Sequence, residues 1–460
     1  MPKITFMGAG STVFAKNVLG DCMLQEPLQN STIALYDINP TRLDESHRML
    51  ENLNANINEN RAKIECYCGP EQRKDALRGA NFVVNAIQVG GYEPSTVIDF
   101  EVPKKYGLRQ TIGDTLGIGG IFRALRTIPV MMDFARDIEE VCQNAWLLNY
   151  TNPMAMLTGA MLRATNVKTV GLCHSVQSCV KSLMQCMNYD EQNIPYDESK
   201  SDTEQGIRAR IAGINHQAWL ISLTMNGEDI YPKVKEIGRE LVKKYRAYPV
   251  DDPKKLINIV RLEIMNRFGY YVTESSEHSS EYMPYWIKST HPELIDEFKI
   301  PLDEYPRRCI HQIEEWKKLN KELCGDTKLT HKLSNEYGSR IMRAIHTGVP
   351  IQIGGNVLNT GGLISNLPEN AVVEVPCLVD GNGIQGCRFG ALPTQCAAIN
   401  MTNINVQLLT IEAALTRKRE TIYQAAMLDP HTSAELTIDQ IVAMCDDLIE
   451  AHGDMLPKYN

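Results

Sequence analysis

The chain reads as an α/β protein: a Rossmann-type parallel sheet domain followed by a larger mixed α+β substrate domain. Three observations predict the first of these domains. An apolar run, Lys3-Ile-Thr-Phe-Met7, stops at Gly8-Ala9-Gly10-Ser11-Thr12 and a helix-length segment follows. A second apolar run, Ile33-Ala-Leu-Tyr-Asp37, ends in an acid. Further apolar runs then alternate with helix-length segments, the pattern of a parallel sheet with crossover helices.

The first turn carries the cofactor signal. Val13, Phe14, Val18 and Leu19 are spaced to lie on one helix face behind it. Strand, glycine turn and helix let a backbone approach a pyrophosphate, whose charge meets free N–H groups at the helix start. Gly8, Gly10 and Ser11 are the candidate contacts; Val13 stands where a third glycine is usual. Asp37 falls where a carboxylate meets the adenosine ribose, which favours NAD over NADP. Its other reading is a turn or helix cap before Asn39-Pro40.

The next strands are expected at 81–87 and 145–149. The first leads into Gln88-Val89-Gly90-Gly91, beside which the nicotinamide half of a cofactor would run. Ligands of parallel sheets bind beyond the carboxyl ends of the strands, and Asn85, Asn149 and Asn152 fall at such ends. Asparagine is equally a turn residue. Between them, the glycine-dense run 113–120 reads as a lid, an anion cradle or a tight connection. A helix is expected from Ile121 to about Glu140, started or kinked at Pro129.

The strand Thr169-Val-Gly-Leu172 ends in Cys173-His174-Ser175, and Arg210-Ile-Ala-Gly-Ile214 ends in Asn215-His216-Gln217. A thiolate plus an imidazole suits Mn, Fe, Co, Ni or Zn better than Mg or Ca. Two ligands leave open positions, unlike a closed structural zinc site. The alternative is a buried free cysteine and an unrelated histidine. Segment 268–282 packs aromatics, acids and His278 without periodicity and reads as a loop. Helices with apolar faces are expected near 405–426 and 438–451, packing on the sheet or on another subunit.

Composition bounds the rest. The 460 residues suit two large domains or about three of ~150 residues. Apolar residues at 43% and charged residues at 22% support a buried core and exclude a disordered chain. No apolar run approaches the ~18 residues that span a bilayer. The N-terminus starts at once as a strand, without the pattern of a signal peptide. Thirteen cysteines, an odd number, read as reduced thiols of a cytoplasmic protein. A net charge of −9 argues against a nucleic-acid partner.

Taken together, Gly8-Ala-Gly-Ser-Thr12, Asp114-Thr-Leu-Gly-Ile-Gly-Gly120, Asn149-Tyr-Thr-Asn-Pro153, Cys173-His-Ser-Val176 and Gly213-Ile-Asn-His-Gln217 resemble glycoside hydrolase family 4, the NAD- and metal-dependent glycosidases. The resemblance runs nearly end to end, and it implies an NAD-binding domain over 1–170 and a metal- and substrate-binding domain over 171–460, the second a mixed sheet with covering helices. It takes in Thr273-Glu-Ser-Ser-Glu-His278, Gly355-Asn-Val357, Asn366-Leu-Pro368, Val373-Glu-Val-Pro-Cys377 and Ala451-His-Gly-Asp454. Within the family the chain is most similar to cytoplasmic α-galactosidases that act on melibiose. Ile118 stands where relatives usually carry proline. The insertion 188–205, with Asp190, Glu191, Asp197, Glu198, Asp202 and Glu204 against Lys200, reads as a solvated excursion.

The resemblance implies a redox-assisted elimination rather than the usual two-carboxylate hydrolysis. The sugar is oxidised at C3 by NAD+, loses its C2 proton and its leaving group, gains water and is reduced again. It implies Mn2+ or another divalent transition metal on Cys173 and His216, polarising the C2 and C3 oxygens. His174 sits where the family places the residue that assists the leaving oxygen. Phosphosugar-specific relatives carry Asp or Asn there, so the run implies an unphosphorylated glycoside. The C2 base is assigned to Glu274, with Tyr271 and Glu277 as alternatives, and Asp114 matches the acid beside it. Asn152 resembles the sugar-hydroxyl ligand, and Asn149 its neighbour near the nicotinamide. The family is oligomeric, which implies a homo-oligomer, a dimer or tetramer. The other readings are an α-glucosidase or α-galacturonidase of the same family, a lactate/malate-type dehydrogenase, and a sugar-sensing NAD-binding protein without catalysis.

Overall fold

The structure, a computed structural model, describes residues 1–189, 194–249, 251–252, 254–325 and 327–460. Its first strands are β1 (Lys3–Met7), β2 (Thr32–Asp37), β3 (Lys63–Cys68), β4 (Phe82–Asn85), β5 (Trp146–Asn149) and β6 (Lys168–Gly171). They lie in the order β3-β2-β1-β4-β5-β6, all parallel. This is the doubly wound dinucleotide-binding order, whose ligand crevice opens where the order reverses, between β1 and β4. Ile4, Phe6, Ile33, Leu35, Val83 and Val84 are buried, as a sheet covered by helices on both faces requires.

The second half extends the same sheet. Its strands are β7 (Ile207–Ile214), β8 (Gln217–Met225), β9 (Glu228–Asp229), β10 (Tyr271–Val272), β11 (Ile351–Leu358), β12 (Val372–Asp380) and β13 (Gly383–Gly386). β11 runs antiparallel beside β6, then come β12, β7, β8 and β10; β13 pairs with β12 and β9 with β8. Among the described residues the 13 strands make one sheet. Its seams are narrow: β6 meets β11 only at Gly171–Asn356, and β12 meets β7 only at Glu374–Gly213. Because Asn356 also pairs with Glu374, these four residues form one row across the sheet. The division expected near residue 170 falls at the end of β6, the last parallel strand.

Several expected elements change. The helix expected from Ile121 begins at Gly117 and runs to Val141. Its glycine-dense entry is a tight buried connection: a Cβ on Gly119 would lie 2.3 Å from the Gly113 carbonyl oxygen. Pro129 does not break the helix. The Leu125 carbonyl, deprived of its usual N–H partner by that proline, accepts from the Tyr459 hydroxyl at 3.4 Å. The segment read as a loop contains β10 and a short helix, Ser276–Glu281, because Tyr271 and Val272 pair with the edge of β8. The helix expected at 405–426 is two, Thr394–Thr416 and Arg419–Leu428, parted at Arg417, where φ is 63°. The first packs on Gly117–Val141 and on the helix Met154–Ala164, within its own chain. The expected helix 438–451 is Ile438–His452.

In the acidic insertion, Asp197, Glu198, Asp202 and Glu204 lie in turns, while Asp190 and Glu191 fall outside the described residues. No helix among the described residues is long and apolar enough to cross a membrane.

Candidate active site

At the crevice between β1 and β4, Gly8 has φ of +85°, and a Cβ there would lie 2.8 Å from the backbone carbon and oxygen of Ala86. Only glycine lets the two strand ends approach this closely. The Gly8 and Ala9 N–H groups donate to the Tyr36 carbonyl at 2.9 and 3.0 Å. The Gly10 N–H donates to Asp37 Oδ2 at 2.7 Å, and the Asn39 N–H to Oδ1 at 2.8 Å. Asp37 therefore ties the glycine turn to the end of β2 and also caps the turn before Pro40. Each of its oxygens keeps a further lone pair. The Ser11 hydroxyl turns back to the Gly8 carbonyl at 2.9 Å.

Asn85 and Asn149, register partners on β4 and β5, are both 0% exposed. Asn85 Nδ2 donates to Asn149 Oδ1 at 2.9 Å and to Thr151 Oγ1 at 3.2 Å, and Asn149 Nδ2 donates to the Thr151 carbonyl at 3.1 Å. The cofactor and sugar contacts expected of them thus meet two enclosed side chains, whose amides bind together the loops that follow their strands. Asn152 is half-buried, and its Nδ2 donates to Asp114 Oδ2 at 3.0 Å.

Cys173 and His216 come together, although they lie on strands that do not touch. Asn215 and His216 form the two-residue turn between β7 and β8, since Ile214 pairs with Gln217. Ligand atoms of Cys173, His216 and Glu274 all lie within 4.8 Å of one another. Glu274 Oε2 is 3.9 Å from Cys173 Sγ and 3.8 Å from His216 Nε2. The Tyr337 hydroxyl accepts from the Cys173 N–H at 2.7 Å and donates to its carbonyl at 2.9 Å, clamping that turn. Burial, then the charges of Glu274 and Glu374, push the Cys173 thiol up to about 12. Without a cation such a thiol keeps its proton at neutral pH. His216 Nδ1 is buried without a hydrogen-bond partner. One sulfur, one imidazole and one carboxylate at this spacing fit a transition metal better than Ca2+ or Mg2+.

Around this trio lie charged groups that sequence reasoning did not single out. His278 stacks on His216, ring centroids 4.8 Å apart, and its Nε2 lies 3.7 Å from Asp114 Oδ1. Burial opposes ionisation of Asp114, but His278 and Arg123, 3.9 Å away, bring its carboxyl down to about 2. Burial likewise opposes the Glu274 charge, and His278 and His216 outweigh it, so that carboxyl sits below its ordinary value. The Glu281 carboxylate accepts from the N–H groups of Thr111 and Gly113 at 2.6 and 3.1 Å, fixing the loop that carries Asp114. Glu374, in the seam row, accepts from Asn356 Nδ2 at 3.0 Å, and burial pushes its carboxyl up to about 7.

His174 Nε2 lies 2.8 Å from Glu336 Oε2, and that hydrogen bond, against burial, raises the imidazole above its ordinary value. The Glu336 loop is fastened to the first half by Asp21, which accepts from His331 Nε2 at 2.7 Å and from the Ser334 N–H and hydroxyl at 2.9 and 2.7 Å. Of the alternative bases, Tyr271 is fully buried with the Arg261 guanidinium 4.3 Å from its ring centre, and burial pushes its phenol well up. Glu277 turns to Arg308 at 3.1 Å. Glu336 and Tyr337 stand in a polar stretch with no periodicity, so no pattern marked them. His278 was visible only as part of its acidic, aromatic segment.

Two family models match this chain, family 4 glycosyl hydrolase over residues 3–189 and the C-terminal domain of that family over residues 211–432. The chain belongs to family 4 of the glycosyl hydrolases. It is 59% identical over 459 residues to an alpha-galactosidase of Bacillus subtilis (strain 168), covering 100% of both chains. It is 33% identical to an alpha-galactosidase of Rhizobium meliloti (strain 1021) over 470 residues, covering 99% of this chain and 89% of that one. The fold matches that of lplD from Bacillus subtilis with a TM-score of 0.83 at 25% identity, covering 97% and 99% of the two chains. It also matches the 6-phospho-beta glucosidase of Thermotoga maritima, solved with manganese, NAD+ and glucose-6-phosphate, with a TM-score of 0.75 at 19% identity and 100% coverage of both. The doubly wound order is thus that of a family 4 enzyme.

Proposed function

We propose that this family 4 enzyme is an NAD- and Mn2+-dependent α-galactosidase that hydrolyses α-galactosides such as melibiose. The observation that carries the reaction type is the junction of Cys173, His216 and Glu274 within 4.8 Å, with His174 next along the chain. The choice of sugar is supported by the end-to-end likeness to relatives named alpha-galactosidase. The turn Gly8–Ser11, backed by Asp37, would hold NAD+. Cys173 and His216, with Glu274 alongside, would hold Mn2+ or another divalent transition metal. When bound, these groups supply a hydride acceptor for C3 and a Lewis acid for the oxygens at C2 and C3.

The chain's own residues do the remaining work. Glu274, held ionised by His278, takes the C2 proton. His174, held by Glu336, gives a proton to the leaving oxygen. Asn152 binds a sugar hydroxyl, and Asp114 orients Asn152 and His278. Asn85 and Asn149 support the strand ends beneath cofactor and sugar. We divide the chain into a cofactor half, 1–170, and a metal and sugar half, 171–460, because the parallel order ends at β6. A cytoplasmic location is supported by thirteen free thiols, one of them a ligand that must stay reduced. A homo-oligomer is part of the same reading, and Ile310 and Ile313, exposed on one face of the helix Glu304–Leu323, are the contact we assign to it.

Cleavage of melibiose in heavy water tests the reading. Deuterium is expected at C2 of the released galactose, together with loss of cleavage on chelation or removal of NAD+. Unlabelled galactose, or cleavage that survives both removals, excludes it.

A further inference from the structure

Beside the metal trio the sheet opens. Because β7 meets β12 at one residue pair and β6 meets β11 at one, the strands diverge beyond the row Gly171–Asn356–Glu374–Gly213. The gap is an open cavity of about 830 Å³, walled by the start of the helix Ser175–Met187, by Ala209 and Ile211 of β7, and by the first residues of β11. Cys173, His216, Glu274, Asp114 and Asn152 do not line it, but His174 does, with its side chain 46% exposed. The imidazole therefore stands between the metal trio and a second space of small-molecule size.

The walls suit a polyhydroxylated ring. Gln177, Asn335 and Arg340 offer donors and acceptors from exposed positions, and Val176 and Ile353 offer an apolar surface. Arg340 has no hydrogen bond or ion pair among the described residues, so its planar fork of donors is free. On the floor, Glu374 is 1% exposed, and its Oε2 has no hydrogen-bond partner.

A glycosidic oxygen has two sides. The ring to be oxidised must place C2 and C3 at the metal trio, and the proton donor must lie within hydrogen-bond reach of the oxygen. The leaving group then falls on the far side of His174. We propose that this cavity is the leaving-group subsite, that it takes a sugar rather than a small alkyl group, and that Arg340 is its specificity-determining contact. The inference rests on the reading of His174 as donor to the leaving oxygen.

The test compares two α-galactosides with the same galactose ring, melibiose and methyl α-galactoside, on the intact enzyme with NAD+ and Mn2+. Arg340→Ala is expected to lower the ratio of kcat/KM for melibiose over methyl α-galactoside about 10-fold, the loss of one hydrogen bond from a charged group. Ser178→Trp, which puts bulk into the cavity from an exposed helix position, is expected to lower the same ratio by about as much. If both ratios stay within about two-fold of wild type, the subsite is wrong even though the galactosidase reading stands. If wild type cleaves neither glycoside, the reaction reading fails and the subsite fails with it.

Discussion

His174 Nε2 and Glu336 Oε2 lie 2.8 Å apart, although 162 residues separate them in the chain. The carboxylate is nearly enclosed, at 10% side-chain exposure, while the imidazole faces the cavity at 46%. A buried acid thus holds a proton on a group that can reach the substrate, the arrangement a proton donor near neutral pH requires.

Replacing Glu336 by Gln is therefore expected to lower kcat/KM for melibiose by about 10- to 100-fold. The raised pKa of His174 keeps its proton to higher pH than a free imidazole. In the variant the alkaline loss of activity begins at lower pH. The same sign holds for stability: the contribution of this pair is full below the unfolded pKa and is lost as pH rises through the folded one. A pH–rate profile of both proteins checks the shift, and an unmoved alkaline limb would sink the assignment.

Cys173→Ser and His216→Ala each remove a donor from the trio. Each is expected to weaken Mn2+ binding by at least about 10-fold and to abolish turnover at ordinary metal concentrations. Calorimetric titration of the apoprotein with Mn2+ reads the affinity without relying on activity. Wild-type affinity in both variants would remove the metal assignment.

Glu274 faces both Cys173 Sγ and His216 Nε2 with one oxygen, so the two parts proposed for it need separating. As base, Glu274→Gln is expected to lower solvent deuterium entry at C2 by about 1,000-fold or more while Mn2+ affinity changes by less than about 10-fold. A variant that loses Mn2+ but regains C2 exchange at high metal concentration would make Glu274 a ligand only.

Asp114 titrates at about 2 when folded against an ordinary 3.8. Its depressed pKa contributes stability present above the unfolded value and lost as pH falls through the folded one. The wild type is expected to lose about 2 kcal/mol between pH ~4 and ~2 that Asp114→Asn does not lose. Denaturant melts of both proteins across that range read the difference.

Much of the cofactor half was legible because its signals are local. A strand, a glycine turn and a helix follow one another within Lys3–Met23, whereas the steric demand at Gly8 comes from Ala86, 78 residues further along the chain. Asp37 was legible as a turn cap because Asn39 lies two residues on, whereas its bond to the Gly10 N–H spans 27 residues. The C-terminal helices were legible in position, but the break at Arg417 follows from how Thr394–Thr416 and Arg419–Leu428 pack, not from their apolar faces.

The site divides along the same line. Cys173 and His216 stood out because each ends a strand in a side chain that binds metals, and local patterning determines that much. Glu336, His278 and Glu281 act only through partners 162, 62 and 170 residues away, such as His174, His216 and Thr111. The tertiary structure alone decided that Cys173 and His216 share one centre, that Asn85 and Asn149 are enclosed, and that a cavity opens beyond His174. Secondary structure follows from short-range sterics and hydrophobic period, which a window of residues contains. The charge, burial and exposure of a side chain depend on long-range neighbours, which no window contains.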